Sequence, residues 1–112
     1  MNFNEKKNIL ADYNWDDGFK FPSIILRDKN CDLATALEIF YLADGDSYLF
    51  LKYDDKKIPD DSEWINFVES LYCDILSGNY TKNDNHYKIP LGRVPKYQLK
   101  KLGVPDIFLK DI

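Results

Sequence analysis

Hydrophobic and polar positions recur at helical spacing along most of this 112-residue chain, and one segment departs from that rule. From Cys31 to Gly45 almost every residue is apolar. Asp32 can cap the first turn, because its carboxylate accepts from the free N–H groups there. Gly45 can take the left-handed conformation that ends a helix. With apolar side chains on every face, a helix over residues 32–44 must be wrapped by the rest of the protein.

The other segments supply the wrapping. Residues 4–13 read as a short amphipathic helix with Asn4 as cap and Ile9, Leu10 and Tyr13 on one side. The Asp-Gly turn signal in Asn14-Trp15-Asp16-Asp17-Gly18 breaks it. Pro22 then fits the first turn of a second short helix carrying Ile24, Ile25 and Leu26, closed by Asp28-Lys29-Asn30. Residues 46–53 are ambiguous: aromatics suit a strand, but the apolar residues do not alternate, which favours a short helix after a tight turn. A charged loop follows from Asp54 to Pro59.

Asp60 or Ser62 caps the next helix, with Glu63 at capping-box spacing from Asp60. There Trp64, Phe67, Val68, Leu71, Tyr72, Ile75 and Leu76 recur every three or four residues up to Gly78. Pro90, Gly92 and Pro95 prevent long elements in residues 79–95. Lys96–Leu102 form a short helix after Pro95, stopped by Gly103, and Pro105–Leu109 can add one turn. The expected architecture is all-α, one compact domain over residues 1–112, five or six short helices around the apolar one.

Composition sharpens this only partly. Hydrophobic residues make up 45% of the chain, enough for a core. The net charge is −4, unevenly spread: residues 1–64 hold 14 acids and 8 bases, residues 65–112 hold 5 acids and 7 bases. An acidic chain is repelled by phosphate backbones, so nucleic acid is not an expected partner. The cluster Lys82, Lys88, Arg93, Lys96, Lys100 and Lys101, interleaved with Tyr80, Tyr87 and Tyr97, reads as a solvated face with tyrosines packed beneath. Cys31 and Cys73 fit no disulfide framework and read as buried reduced thiols, in keeping with a cytoplasmic setting. Residues 1–7 lead into no apolar signal region, and no apolar run reaches membrane-spanning length.

The side chains name no reaction. His86, the one histidine, stands in a polar loop without a nucleophile beside it. Cys31, Cys73 and His86 are too isolated for zinc, and the paired Asp residues lack the alternating oxygens of a calcium loop. No phosphate-cradling Gly-rich loop occurs, so neither cofactor nor metal is expected.

The segments Asn14-Trp15-Asp16-Asp17-Gly18, Cys31-Asp32-Leu33-Ala34-Thr35-Ala36-Leu37 and Phe40-Tyr41-Leu42-Ala43-Asp44-Gly45 resemble, in this order, a bacterial family known as domain of unknown function 4274. The resemblance covers roughly residues 9–75. It implies a small, soluble, mostly helical domain and transfers no catalytic residue.

Two function classes follow as expectations. Small acidic bacterial proteins without a catalytic set resemble immunity proteins. Such a protein would be non-catalytic and monomeric when free. It would bind a cognate basic toxin domain, of nuclease (RNase) type, from a contact-dependent inhibition system. Its contacts would be Asp46, Asp54, Asp55, Asp60, Asp61 and Glu63. The alternative is a small enzyme using Asp16, Asp17 and Asp44, which would need a desolvated pocket; a structural subunit of a larger assembly is the bland third reading.

Overall fold

A computed structural model describes residues 1–54 and 62–112. Among these residues six helices follow in order: α1 (Phe3–Asp12), α2 (Lys20–Arg27), α3 (Leu33–Leu42), α4 (Gly45–Tyr53), α5 (Glu63–Leu76) and α6 (Arg93–Leu102). Single 3₁₀ turns lie at Trp15–Asp17 and Asp106–Phe108, and the described residues contain no strand. The expected all-α class is observed, and residues 45–53 are helical, as the missing alternation favours.

Helix α3 is the hub. Leu33, Ala34, Thr35, Ala36, Leu37, Ile39, Phe40 and Tyr41 are all buried. Helices α1, α2, α4 and α5 pack around it, and α6 reaches the core through α4. A Cα radius of gyration of 13.6 Å is that of one globule, since a chain of about 100 residues packs to about 13 Å. Phe40 meets Phe108 with ring centroids 5.2 Å apart, and Phe108 stacks on Tyr72 at 5.0 Å. The C-terminal segment thereby closes the core over α3 and α5. The Tyr41 hydroxyl donates to the Phe108 carbonyl, and Tyr87 and Ile112 exchange two backbone hydrogen bonds of 2.8 and 3.0 Å.

The start of α3 is also a latch. Asp32 is almost fully buried, and its Oδ1 accepts from the Thr35 N–H at 2.9 Å. Its Oδ2 accepts from the Asn85 amide at 2.5 Å. Burial alone would raise the Asp32 ionisation, but these hydrogen bonds outweigh it and hold the carboxyl below its ordinary value. Next to it the Leu33 N–H donates to the Thr81 carbonyl at 3.0 Å. One capping residue therefore fixes both a helix start and the polar segment after α5.

Several expectations need correction. Helix α1 is capped by Asn2, not Asn4. Asn2 accepts from the Glu5 N–H at 2.8 Å while its amide donates to the Glu5 carboxylate at 2.9 Å, a reciprocal pair that Asn4 does not make. Within α1, Ile9 is exposed, and the buried positions are Lys6 and Leu10. The Lys6 ammonium lies 3.5 Å from Asp28 Oδ2 at the end of α2.

Gly45 does not adopt the left-handed conformation; Asp44 does, at φ 60°. Gly45 instead opens α4 with its backbone pressed on Phe40. A Cβ there would stand 2.5 Å from the Phe40 carbonyl oxygen and overlap the ring. The residue without a side chain is spent on that close approach, so the turn falls to Asp44, a residue type that tolerates it.

Ser62 caps α5, accepting from the Ile65 N–H at 2.9 Å, while Asp60 lies outside the described residues. Cys73 is exposed rather than buried, and Cys31 is half-buried; both are free thiols. Leu71, Tyr72 and Ile75 point inward, which turns position 73 of the same helix outward. Leu42 and Leu76 are exposed as well. Helix α6 begins at Arg93 with Pro95 inside its first turn, where the missing N–H costs nothing.

Candidate functional site

The site begins with a turn that aromatic rings hold in place. Asn14 caps its own turn, its Oδ1 accepting from the Asp16 N–H at 3.1 Å. The Tyr13 hydroxyl donates to the Gly18 carbonyl at 2.6 Å, with Gly18 at φ 94°, a conformation suited to glycine. Trp15 stands edge-on to Tyr13 at 5.2 Å, and Phe19 stacks on Phe67 of α5 at 4.6 Å and 18°. With the rings turned inward, Asp16 and Asp17 are exposed.

This turn closes one end of a groove of about 660 Å³ between α2 and α5. Phe19, Leu26, Phe67, Leu71 and Tyr80 supply its apolar lining. Burial raises the Tyr80 phenol to about 12, so it stays neutral. On α5 the lining residues Glu63, Asn66, Ser70 and Asp74 recur at three- and four-residue steps, hence along one stripe. On α2 they are Lys20, Ser23 and Arg27. A second hollow of about 880 Å³ lies between α1 and α2, lined by Ile9, Asp12, Tyr13, Phe21 and Ile24 among others. Asp17 and Lys20 border both hollows.

The sequence-derived contacts divide. Glu63 lines the groove. Asp46 lies in the first turn of α4 and Asp54 just past its end, and neither borders either hollow. Asp55, Asp60 and Asp61 lie outside the described residues. Of the carboxylates of the enzyme alternative, Asp17 faces both hollows, while Asp16 and Asp44 line neither. Asp74, Lys20 and Arg27 were not anticipated. Their signal was the polar stripe of α5 and the matching spacing on α2, which the apolar stripe of α5 overshadowed.

The remaining candidates serve structure or stand apart. Among the described residues two carboxylates have shifted ionisation, Asp28 and Asp32, and both are shifted downward. For Asp28 the Asn30 N–H lowers it most, and Lys6 adds to this against burial. Burial raises the Cys31 thiol to about 11, which keeps it protonated and unreactive. His86 is exposed in its loop. The basic cluster is divided. Lys96 stands 3.9 Å from Asp111, Tyr87 stacks on Tyr41 at 6.5 Å, and Tyr80 lines the groove. Of the three tyrosines only Tyr97 points fully outward, 65% exposed. Among the described residues no group of three or more His, Cys, Asp or Glu side chains could hold a metal ion, and no helix is long and apolar enough to cross a membrane.

No curated protein and no solved structure matches the chain. A family model does, over residues 2–76, from the start of α1 to the end of α5. It takes in α3 with its cap, the Trp15 turn, and both helical walls of the groove, and it leaves α6 outside. The chain therefore belongs to the family described as Domain of unknown function (DUF4274).

Proposed function

We propose that this chain is a non-catalytic binding protein that neutralises a basic partner protein, as an immunity protein does with a cognate toxin domain. The observation that carries the reading is the groove between α2 and α5. There Asp17, Glu63 and Asp74, outnumbering Lys20 and Arg27, line an open trough together with Phe19, Phe67 and Tyr80. Protein interfaces use that combination: aromatic anchors supply area, and charges around them select the partner. Asp28 and Asp32, whose ionisation is shifted, are engaged in hydrogen bonds that hold helix ends, away from the groove.

A nuclease toxin presents cations shaped for phosphate, and carboxylates can occupy them. The excess of acids in residues 1–64 would steer such a partner in. A cytoplasmic setting suits this role, since the toxin would be met where it acts.

The test is calorimetric titration of the chain with the basic domain of a secreted toxin encoded beside its gene. Binding should weaken as salt rises from about 0.05 to 0.3 M. Reversing Asp17, Glu63 and Asp74 to Lys together should weaken it by about a hundredfold or more. No binding, or binding indifferent to the reversals, would refute the proposal.

A further inference from the structure

The groove has two unlike walls, and this difference says more about its occupant than the acidic excess does. The α5 wall carries Glu63 near one end and Asp74 near the other. The α2 wall carries Lys20 and Arg27, with Asp17 in the turn just before it. Between the walls run Phe19, Phe67, Leu26 and Leu71. Both charged rows follow from helical spacing, with Lys20, Ser23 and Arg27 three and four residues apart and Glu63 and Asp74 separated by three turns.

From this arrangement we infer that the groove seats an amphipathic helix of the partner, with an apolar seam, a cationic edge and an anionic edge. The inference rests on the proposed binding function and specifies the shape that function would use. Helices α2 and α5 both pack on α3 with this trough between them, so an added helix would become a third member of a local cluster. Glu63 and Asp74 lie about 16 Å apart along α5, room for about three turns of guest helix. Lysines on one guest edge meet Glu63 and Asp74, and glutamates on the other meet Lys20 and Arg27, as edge charges do beside a coiled-coil seam. An extended peptide alternates its side chains up and down and would present only half of them to the floor.

Charged walls also fix direction. Turning the guest end for end exchanges its two edges. A peptide with lysines on one edge should therefore enter one way, and its edge-exchanged counterpart the other way.

The experiment uses synthetic amphipathic peptides of about 14 residues with one leucine seam and different edges: mixed, all-Lys and all-Glu. Amide shifts of the labelled full chain report where they bind. The mixed peptide should move signals of α2 and α5 and bind at least about fivefold more tightly than either single-charge peptide. A spin label at the peptide N-terminus should broaden opposite ends of α5 for the two edge-exchanged versions. Ser70→Trp places a ring in the trough from an exposed position and should abolish binding, and Asn66→Trp serves as a second plug if the first fails to fold. Equal binding of all three peptides, shifts lying off the groove, or unchanged binding to the plugged protein would overturn the inference.

The two proposals fail separately. If the plugged chain still binds the toxin domain while the charge-reversed chain does not, the helix seat is wrong and the binding function stands. If no basic toxin domain binds but the mixed peptide does, the seat stands and the function falls.

Discussion

The helix hub and the groove use the same residue types to opposite ends. At the start of α3, the buried carboxylate of Asp32 has hydrogen bonds to both oxygens, from Thr35 and Asn85. In the groove, Asp17 and Glu63 are exposed beside half-buried Phe19 and Phe67. A polar group that is buried and fully partnered has been spent on stability. One that faces solvent over apolar surface retains its capacity for a second molecule. Asp32 and the groove carboxylates Asp17 and Glu63 all lie within the span of the family domain, so membership of it does not separate them; burial and hydrogen bonding do.

The largest break should come at the exit of the hub. Gly45→Ala places a Cβ against backbone and ring of Phe40, and the core must shift to admit it. A loss of about 3 kcal/mol in urea unfolding is expected, as for an overpacked core. A loss under about 0.5 kcal/mol would show that Phe40 yields freely and that the glycine is not required.

Asp32→Ala should follow, with a loss of about 2 to 3 kcal/mol. It removes a helix cap worth about 1 kcal/mol and strands a charge-assisted partner at Asn85. Hydrogen exchange should quicken at Thr35, where the amide loses its acceptor. Tyr41→Phe, which deletes the hydroxyl bonded to Phe108, should cost about 1 kcal/mol by the same assay.

Carboxylates at the end of α2 and the start of the hub also shape the acid limb of stability. Asp28 and Asp32 have carboxyls lowered in the folded state. Each group's contribution is therefore fully present above its unfolded value of about 4, and is lost as pH falls through the lower folded value. Stability should hold from neutral pH to about 5 and then decline, less steeply in Asp32→Ala than in the parent chain. An identical acid limb in the variant would remove Asp32 from that account.

The smallest effects on folding should come from the groove. Glu63→Gln should change stability by less than about 0.5 kcal/mol, because Glu63 faces solvent, and Asp74→Asn by less than about 1 kcal/mol, because half-buried Asp74 only weakens the hydrogen bond it accepts from the Asn79 amide at 3.1 Å. A loss comparable to that of Asp32→Ala would assign these carboxylates to the scaffold and erase the contrast.

Much of the fold could be read locally. Asp32 and Ser62 were legible as caps because a cap acts on N–H groups two or three residues ahead of it. The apolar stripe of α5 and the stop at Gly103, φ 100°, were legible for the same reason of range. Where two local answers competed, distant or reciprocal contacts chose. Asn2 prevailed over Asn4 because Glu5 answers it in kind. The exposure of Cys73 followed from which side of α5 met α3 and Phe108.

The groove was the least legible part. Glu63 could be found as an acid near a helix start, but nothing in the chain order joins it to Asp17, Lys20 or Arg27. Those residues meet because α2 and α5 both lie on α3 and leave a trough between them. The sequence by itself determined the helices, the caps at Asp32 and Ser62, the stop at Gly103, the apolar hub and the acidic bias, since each depends on neighbours a few residues away. Only the tertiary structure decided that Asp44 rather than Gly45 takes the turn, that Asp32 also holds Asn85, and that two charged helix faces oppose each other across aromatic rings. The first depends on how closely the start of α4 is pressed onto Phe40; the other two depend on segments far apart in the chain being packed to contact, and the apolar surface they bury sets that packing, whatever charges lie at its edge.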